Sequence, residues 1–339
     1  MLSAPSLALS QTVELGPGRT PPAPRPITWD TLAERMRQEE GAGFSGCVLV
    51  VRDGKVVLNE GYGLANREKE IACTSETVFG IGSTPIDFTH VGILLLAEAG
   101  QVALDDPITK YFDDVPVPPD KRGITLAHLM NARSGLPDFH DLPGDRDKDH
   151  CFIDRDAAVR RILAQALLFE PGKGEAHSHS AWGLLAAVIE VVSGQTYPEF
   201  TRANLFEPAG MKDTGFFGEP IAEERMAIGY GPMTDGEINA PPFWGKTSWL
   251  VMGSGGQVST TGDMLRWLQA LRAGKILGEE MKRRYFGVAQ GPLVGGDMYG
   301  FFILYTQGEK SLVILISNAA PIGKYDGLGM DLYQLISGR

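Results

Sequence analysis

The sequence predicts a mixed α+β fold in which an antiparallel sheet is built from both chain ends, flanked by helices, and carries an inserted all-helical region. Two observations carry that prediction. β-rich runs lie near both termini, at 44–51 and 56–62 and again at 300–306 and 311–317. The chain between them reads as helices at 84–99, 126–131, 155–168, 180–192, 197–205 and 261–273. Strands at both ends with helices between them leave the two ends to complete one sheet together.

Element by element, residues 12–27 are rich in Pro and Gly and read as an extended arm. From 29 to 40 the apolar residues Trp29, Leu32 and Met36 recur at helical spacing. Asp53-Gly54-Lys55 splits two β-rich runs and signals a tight hairpin. Gln307-Gly308-Glu309-Lys310 does the same near the other end, and a last helix is expected at 325–336. A length of 339 residues exceeds the usual single domain. The expected division is a terminal arm at 1–27, a sheet domain from 28–80 and 245–339, and a mainly helical domain at 81–244.

Composition narrows the function classes. Hydrophobic residues make up 43% and charged residues 22%, the balance of an ordinary globular enzyme or binding protein. A net charge of -11 without clustered Lys/Arg argues against nucleic acid. No run approaches the roughly 18 apolar residues of a membrane span. Residues 1–11 are small and apolar but lack a basic start. They fit the tail of a clipped signal peptide or a flexible extension, so periplasmic or secreted and cytoplasmic locations stay equally open. Cys47, Cys73 and Cys151 are too few and too far apart for a zinc or redox motif. The oligomeric state cannot be read from these features.

From Val78 the chain reads VFGIGSTPIDFTHVGILLLAEAGQVALDDPITKYF, and ITLAHLMNARSGLPDFHD, FEPGKGEAHSHSAWGLLAAVIEVVSGQTYPEF, LFEPAGMKDTGF and GSGGQVSTTGDMLRWLQAL follow in order. These segments resemble the serine β-lactamase and penicillin-binding-protein family, with its class C β-lactamase, DD-peptidase and esterase relatives. The resemblance implies a cleft between the sheet and the helical region. It also implies a nucleophile at Ser83, at a helix N-terminus where the dipole and free N–H groups favour negative charge.

The chemistry departs from the family's pattern. The S-x-x-K lysine, which takes the serine proton, is replaced by Ile86. The Tyr-x-Asn motif is matched by His177, Ser178 and His179. Histidine can serve as a base near neutral pH, so His177 is the expected partner of Ser83. The Lys-Thr-Gly or His-x-Gly strand motif falls at Val294-Gly295-Gly296, without its cation. Ser178, His179, Ile86, Val294, Gly295, Gly296 and the aromatics Trp244 and Trp249 are expected to line the substrate cleft. Asp87 reads as a solvated or capping aspartate, His90 as a packed helical histidine, and Lys246-Thr247-Ser248 as a chance likeness to Lys-Thr-Gly.

His177 and His179 would need a third ligand from His140, Asp141 or His150 to hold a metal. Two histidines are not a site, so neither metal nor cofactor is expected. The expected function is a hydrolase or acyltransferase of a small ester, lactone or amide, with Ser83 as nucleophile and His177 as base. The alternative is a silent or non-hydrolytic, cyclase- or isomerase-like member that binds a small molecule in the same cleft. β-Lactamase activity proper is not expected.

Overall fold

A computed structural model describes residues 27–139, 152–230, 245–288, 293–297, 300–307, 310–319 and 326–337. The first helix, α1 (Leu32–Gly41), leads into β1 (Gly46–Arg52) and β2 (Lys55–Tyr62), the expected hairpin. Asp53 and Gly54 turn it with positive φ of 50° and 78°. Short strands β3 (Leu64–Asn66), β4 (Ile71–Ala72) and β5 (Phe79–Gly80) carry the chain to α2 (Pro85–Glu98). The helical section holds α3 (Leu126–Met130), α4 (Arg155–Ala164), α5 (His179–Ser193), α6 (Tyr197–Thr201) and α7 (Glu207–Ala209). Then come β6 (Gly215–Phe216), β7 (Gln257–Ser259), α8 (Thr261–Arg272) and α9 (Glu279–Val288). The chain closes with β8 (Leu293–Asp297), β9 (Gly300–Gln307), β10 (Ser311–Ser317) and α10 (Asp326–Ser337).

Both chain ends do build one antiparallel sheet, ordered β2-β1-β10-β9-β8. Gly46 stands opposite Ser317 and Val51 opposite Leu312. The alternation of side chains along these two strands divides their burial. Val48, Val50, Val313 and Leu315 pack with Leu32 and Met36 of α1 and Leu328 and Leu332 of α10. Cys47, Leu49, Val51, Leu312, Ile314 and Ile316 face the main core, which also takes Trp267 and Leu271 of α8. A sheet covered on both faces explains the near-continuous apolar runs at 47–51 and 312–316. Each such side chain, buried completely, contributes about 1.5–3 kcal/mol.

The helices expected at 84–99, 126–131, 180–192 and 261–273 form within a residue or two of those bounds. The one expected at 155–168 ends earlier, at Ala164. The chain leaves it so that the Leu168 N–H can donate to Gly135 O at 2.8 Å, bracing the loop before residue 138. The stretch at 197–205 is α-helical only to Thr201 and continues as a π-helical turn, Arg202–Phe206. The wide turn runs into Pro208, which has no N–H to give. Beside the two-stranded β3-β4 pair, a three-stranded sheet, β5-β7-β6, was not legible in strands of two or three residues. It positions the turn that bears Ser83, because the Ile81 N–H donates to Gln257 O at 3.2 Å. Among the described residues no helix is long and apolar enough to cross a membrane.

Candidate active site

Three segments meet at the site. The first is the turn 81–84 before α2. Gly82 takes φ of 53°, a conformation that favours glycine, and Pro85 opens the helix at a position where its missing N–H costs nothing. Ser83 is left partly exposed at the helix entry.

The second segment is the start of α5. Ser178 is its N-cap: the Oγ accepts from the Ala181 N–H at 3.3 Å and donates to Pro137 O at 3.0 Å. One side chain thus caps the helix and ties it to the third segment, the loop 134–139. Ser178 is buried in these two duties.

Asp138 comes from that loop. Its Oδ2 accepts from the His179 N–H at 3.1 Å and from the same residue's ring Nδ1 at 2.6 Å. A carboxylate can only accept, so Nδ1 carries the proton of the neutral ring and Nε2 presents a lone pair. That Nε2 lies 3.0 Å from Ser83 Oγ. Phe139, buried, sets its ring edge-on to His179 at 6.1 Å between centroids. A hydroxyl, an imidazole and a carboxylate therefore stand in one hydrogen-bonded row, Ser83–His179–Asp138.

This corrects the expected pairing. The ring on Ser83 is that of His179, the first residue of α5, whereas His177 lies two residues before it and is exposed. The His177 ring meets the His179 ring edge-on, with centroids 4.7 Å apart. Asp138 is the residue that the sequence reading missed. Its signal was an acid flanked by Leu136, Pro137 and Phe139, where a carboxylate that becomes buried must find donors.

The other expected residues are distributed unevenly. Ile86 is half-buried and packs against the main core. Trp249 is buried in that core, with its backbone N–H donating to Ile153 O at 3.0 Å, rather than open to a ligand. Val294, Gly295 and Gly296 lie in the edge strand β8, opposite Ile303, Phe302 and Phe301. Trp244, His140, Asp141 and His150 lie outside the described residues. Lys246 sets its Nζ over the Phe152 ring at 4.7 Å, while Thr247 donates to Gly256 O.

Behind Ser83, α2 is anchored by Asp87. The carboxylate is buried and accepts from Trp267 Nε1 at 2.7 Å and from the Tyr285 hydroxyl at 2.7 and 2.9 Å. Burial pushes its pKa up, and the two donors oppose that shift. His90, one turn on, stacks on Trp182 and meets Tyr285 edge-on. Burial, aided by Arg284, pushes its pKa down to about 4. Asp87 is thus neither solvated nor capping, and His90 is the packed ring that was expected.

A model of the family described as Beta-lactamase matches residues 30–315. The chain belongs to the beta-lactamase family. Among curated relatives, penicillin-binding protein 4* of Bacillus subtilis (strain 168) is 28% identical over 307 residues, 86% of this chain and 65% of that one. The D-alanyl-D-alanine-carboxypeptidase/endopeptidase AmpH of Escherichia coli (strain K12) is 30% identical over 233 residues, 68% of this chain and 58% of that one. The chain spans less than two thirds of the length of either relative. Among solved structures, the D-amino acid amidase of Ochrobactrum anthropi superposes with a TM-score of 0.74 at 23% identity, covering 91% of this chain and 97% of that one. The architecture is that of the family's serine hydrolases.

Proposed function

We infer that this beta-lactamase-family member is a serine hydrolase or acyltransferase that replaces the lysine-assisted chemistry of its relatives with a Ser83–His179–Asp138 triad. One observation carries the reading: Ser83 Oγ lies 3.0 Å from His179 Nε2 while His179 Nδ1 lies 2.6 Å from Asp138 Oδ2. Each distance is within hydrogen-bond reach for a nucleophile, its base and the group that orients the base. Ile86 supplies no proton acceptor at the family's lysine position, so the base must come from elsewhere.

In this reading Ser83 Oγ attacks the carbonyl carbon of a small ester, lactone or amide as its proton passes to His179 Nε2. Asp138 holds the tautomer and steadies the imidazolium by accepting from Nδ1–H. The negative oxygen of the tetrahedral intermediate is met by the N–H of Ser83 at the entry of α2. The imidazolium returns its proton to the leaving alcohol or amine as the carbon–oxygen or carbon–nitrogen bond breaks. Water, or a second alcohol or amine, then attacks the acyl-Ser83 ester with His179 again as base, releasing the serine hydroxyl. The relatives' names point to D-alanyl peptides and D-amino acid amides as the first substrates to try.

The experiment is a panel of small esters, lactones and D-amino acid amides, read on the parent, Ser83→Ala and His179→Ala. Turnover by the parent, abolished by each substitution, is the expected result. Turnover that survives Ser83→Ala sinks the reading. No turnover of any member, with a small molecule retained in the cleft, moves the protein to the non-hydrolytic alternative.

A further inference from the structure

His177 has no part in the triad, yet its ring is held against the triad's own histidine, 4.7 Å between centroids and 86° apart. Asp138, His177 and His179 each offer one ligand atom, and these atoms all lie within 4.8 Å of one another. The sequence pointed to the two histidines but sought a third ligand in 140–150; the fold supplies Asp138 instead. We propose that Asp138, His177 and His179 form a zinc site whose occupation is incompatible with the hydrolytic arrangement at Ser83.

The donor set selects the metal class. Two imidazoles and a carboxylate suit Zn²⁺ rather than Mg²⁺ or Ca²⁺, which prefer all-oxygen shells. Three protein ligands with an open fourth position are a common zinc arrangement, with bonds of about 2.0–2.2 Å. Bonds of that length bring tetrahedral ligand atoms to about 3.3 Å apart, so the widest spacing must tighten, while Asp138 Oδ2 and His179 Nδ1 must part from 2.6 Å if the metal takes that nitrogen. The exposed side chain of His177 is the one placed to swing inward. The fourth position is left to water or to Ser83 Oγ.

Mutual exclusion follows from the atoms already engaged. His179 Nδ1 is on Asp138 and Nε2 is on Ser83. Whichever nitrogen the metal takes, the triad loses one of its two contacts. Zinc is therefore a reversible inhibitor, competing for a base rather than for a distant surface. The inhibitory half rests on the hydrolytic reading, but zinc binding itself does not.

The test is calorimetric titration of zinc chloride into the chelator-stripped full chain, with no substrate present, using the parent, His177→Ala, His177→Gln and Ser83→Ala. The parent and Ser83→Ala should bind one zinc. Both His177 variants should bind it at least about tenfold more weakly, a loss of about 1.4 kcal/mol. Cobalt in place of zinc should give the parent the strong visible absorption of a four-coordinate site, and this should fade in both His177 variants. A parent that takes up no zinc at millimolar concentration overturns the proposal, as does binding of equal strength in parent and His177 variants. If the parent hydrolyses an ester, zinc should abolish turnover, a chelator should restore it, and the His177 variants should need at least tenfold more zinc. Hydrolysis without zinc binding removes the metal site and leaves the triad standing. Zinc binding without hydrolysis does the reverse.

Discussion

Asp138 holds His179 at two points, the ring Nδ1 at 2.6 Å and the backbone N–H at 3.1 Å. One carboxylate therefore restrains both the ring and the first backbone N–H of α5. Asp138→Asn keeps the shape but offers Nδ1 an amide that can also donate, which lets the ring take the wrong tautomer. On a substrate that the parent turns over, kcat should fall by about 10²–10⁴ with the fold intact, as read by steady-state kinetics beside a thermal melt.

Ser83 and His179 should behave as one unit. Each alanine variant alone should cost nearly as much as both together, because neither group works without the other. Additive losses in the double-variant cycle would mean that the two act in separate steps.

Benzylpenicillin should not label Ser83 stably. On the proposed reading Ile86 takes the place of the family's lysine and Val294 that of its cation, and neither side chain carries a charge. Mass spectrometry of the penicillin-treated protein should find unmodified Ser83. A stoichiometric adduct would contradict this.

Ile86→Lys should destabilise the protein without restoring penicillin acylation. The isoleucine side chain packs on the main core but is only half-buried. A lysine there can bring its ammonium toward water along its stem, so the expected cost is about 1–3 kcal/mol rather than that of a fully buried charge. Chemical denaturation of parent and variant gives the number directly.

The acid limb of stability should carry a contribution from His90. Its pKa is pushed from about 6.5 down to about 4 by burial between Trp182 and Tyr285 and by Arg284. Between those values the unfolded chain binds the proton and the folded chain does not. Stability therefore falls as pH drops from 6.5 to 4, by up to about 3 kcal/mol from this group. Asp87, whose carboxyl is raised by burial, acts in the opposite sense as it gains its proton. His90→Phe should flatten the decline in denaturant midpoint across that window, and an unchanged slope would assign it elsewhere.

The architecture was legible because burial on both sheet faces leaves apolar runs that survive in sequence, as at 47–51 and 312–316. The helix bounds were legible to within a residue or two at 84–99, 126–131 and 261–273. The proposed triad was only half legible. Ser83 and the two histidines lie in recognisable segments, but which imidazole meets the serine depends on where α5 begins. That start is set by Ser178 binding a carbonyl 41 positions earlier. Asp138 went unseen because its partner lies equally far away, and no short pattern joins them.

The pairing of β1 with β10 also bears on how the protein is made. Ser317 donates to the carbonyl of Ser45, 272 positions earlier. A ribosome adding about 5–20 residues per second therefore leaves the first hairpin waiting roughly 15–55 s for the strand that completes its sheet. During that interval Val48, Val50 and Leu49 have no covering strand on one edge, and contacts this distant close slowly even after release. Until β10 arrives, the nascent N-terminal hairpin presents an unpaired strand edge. A chain cut short before β10 should accumulate as aggregate however well its middle helices form.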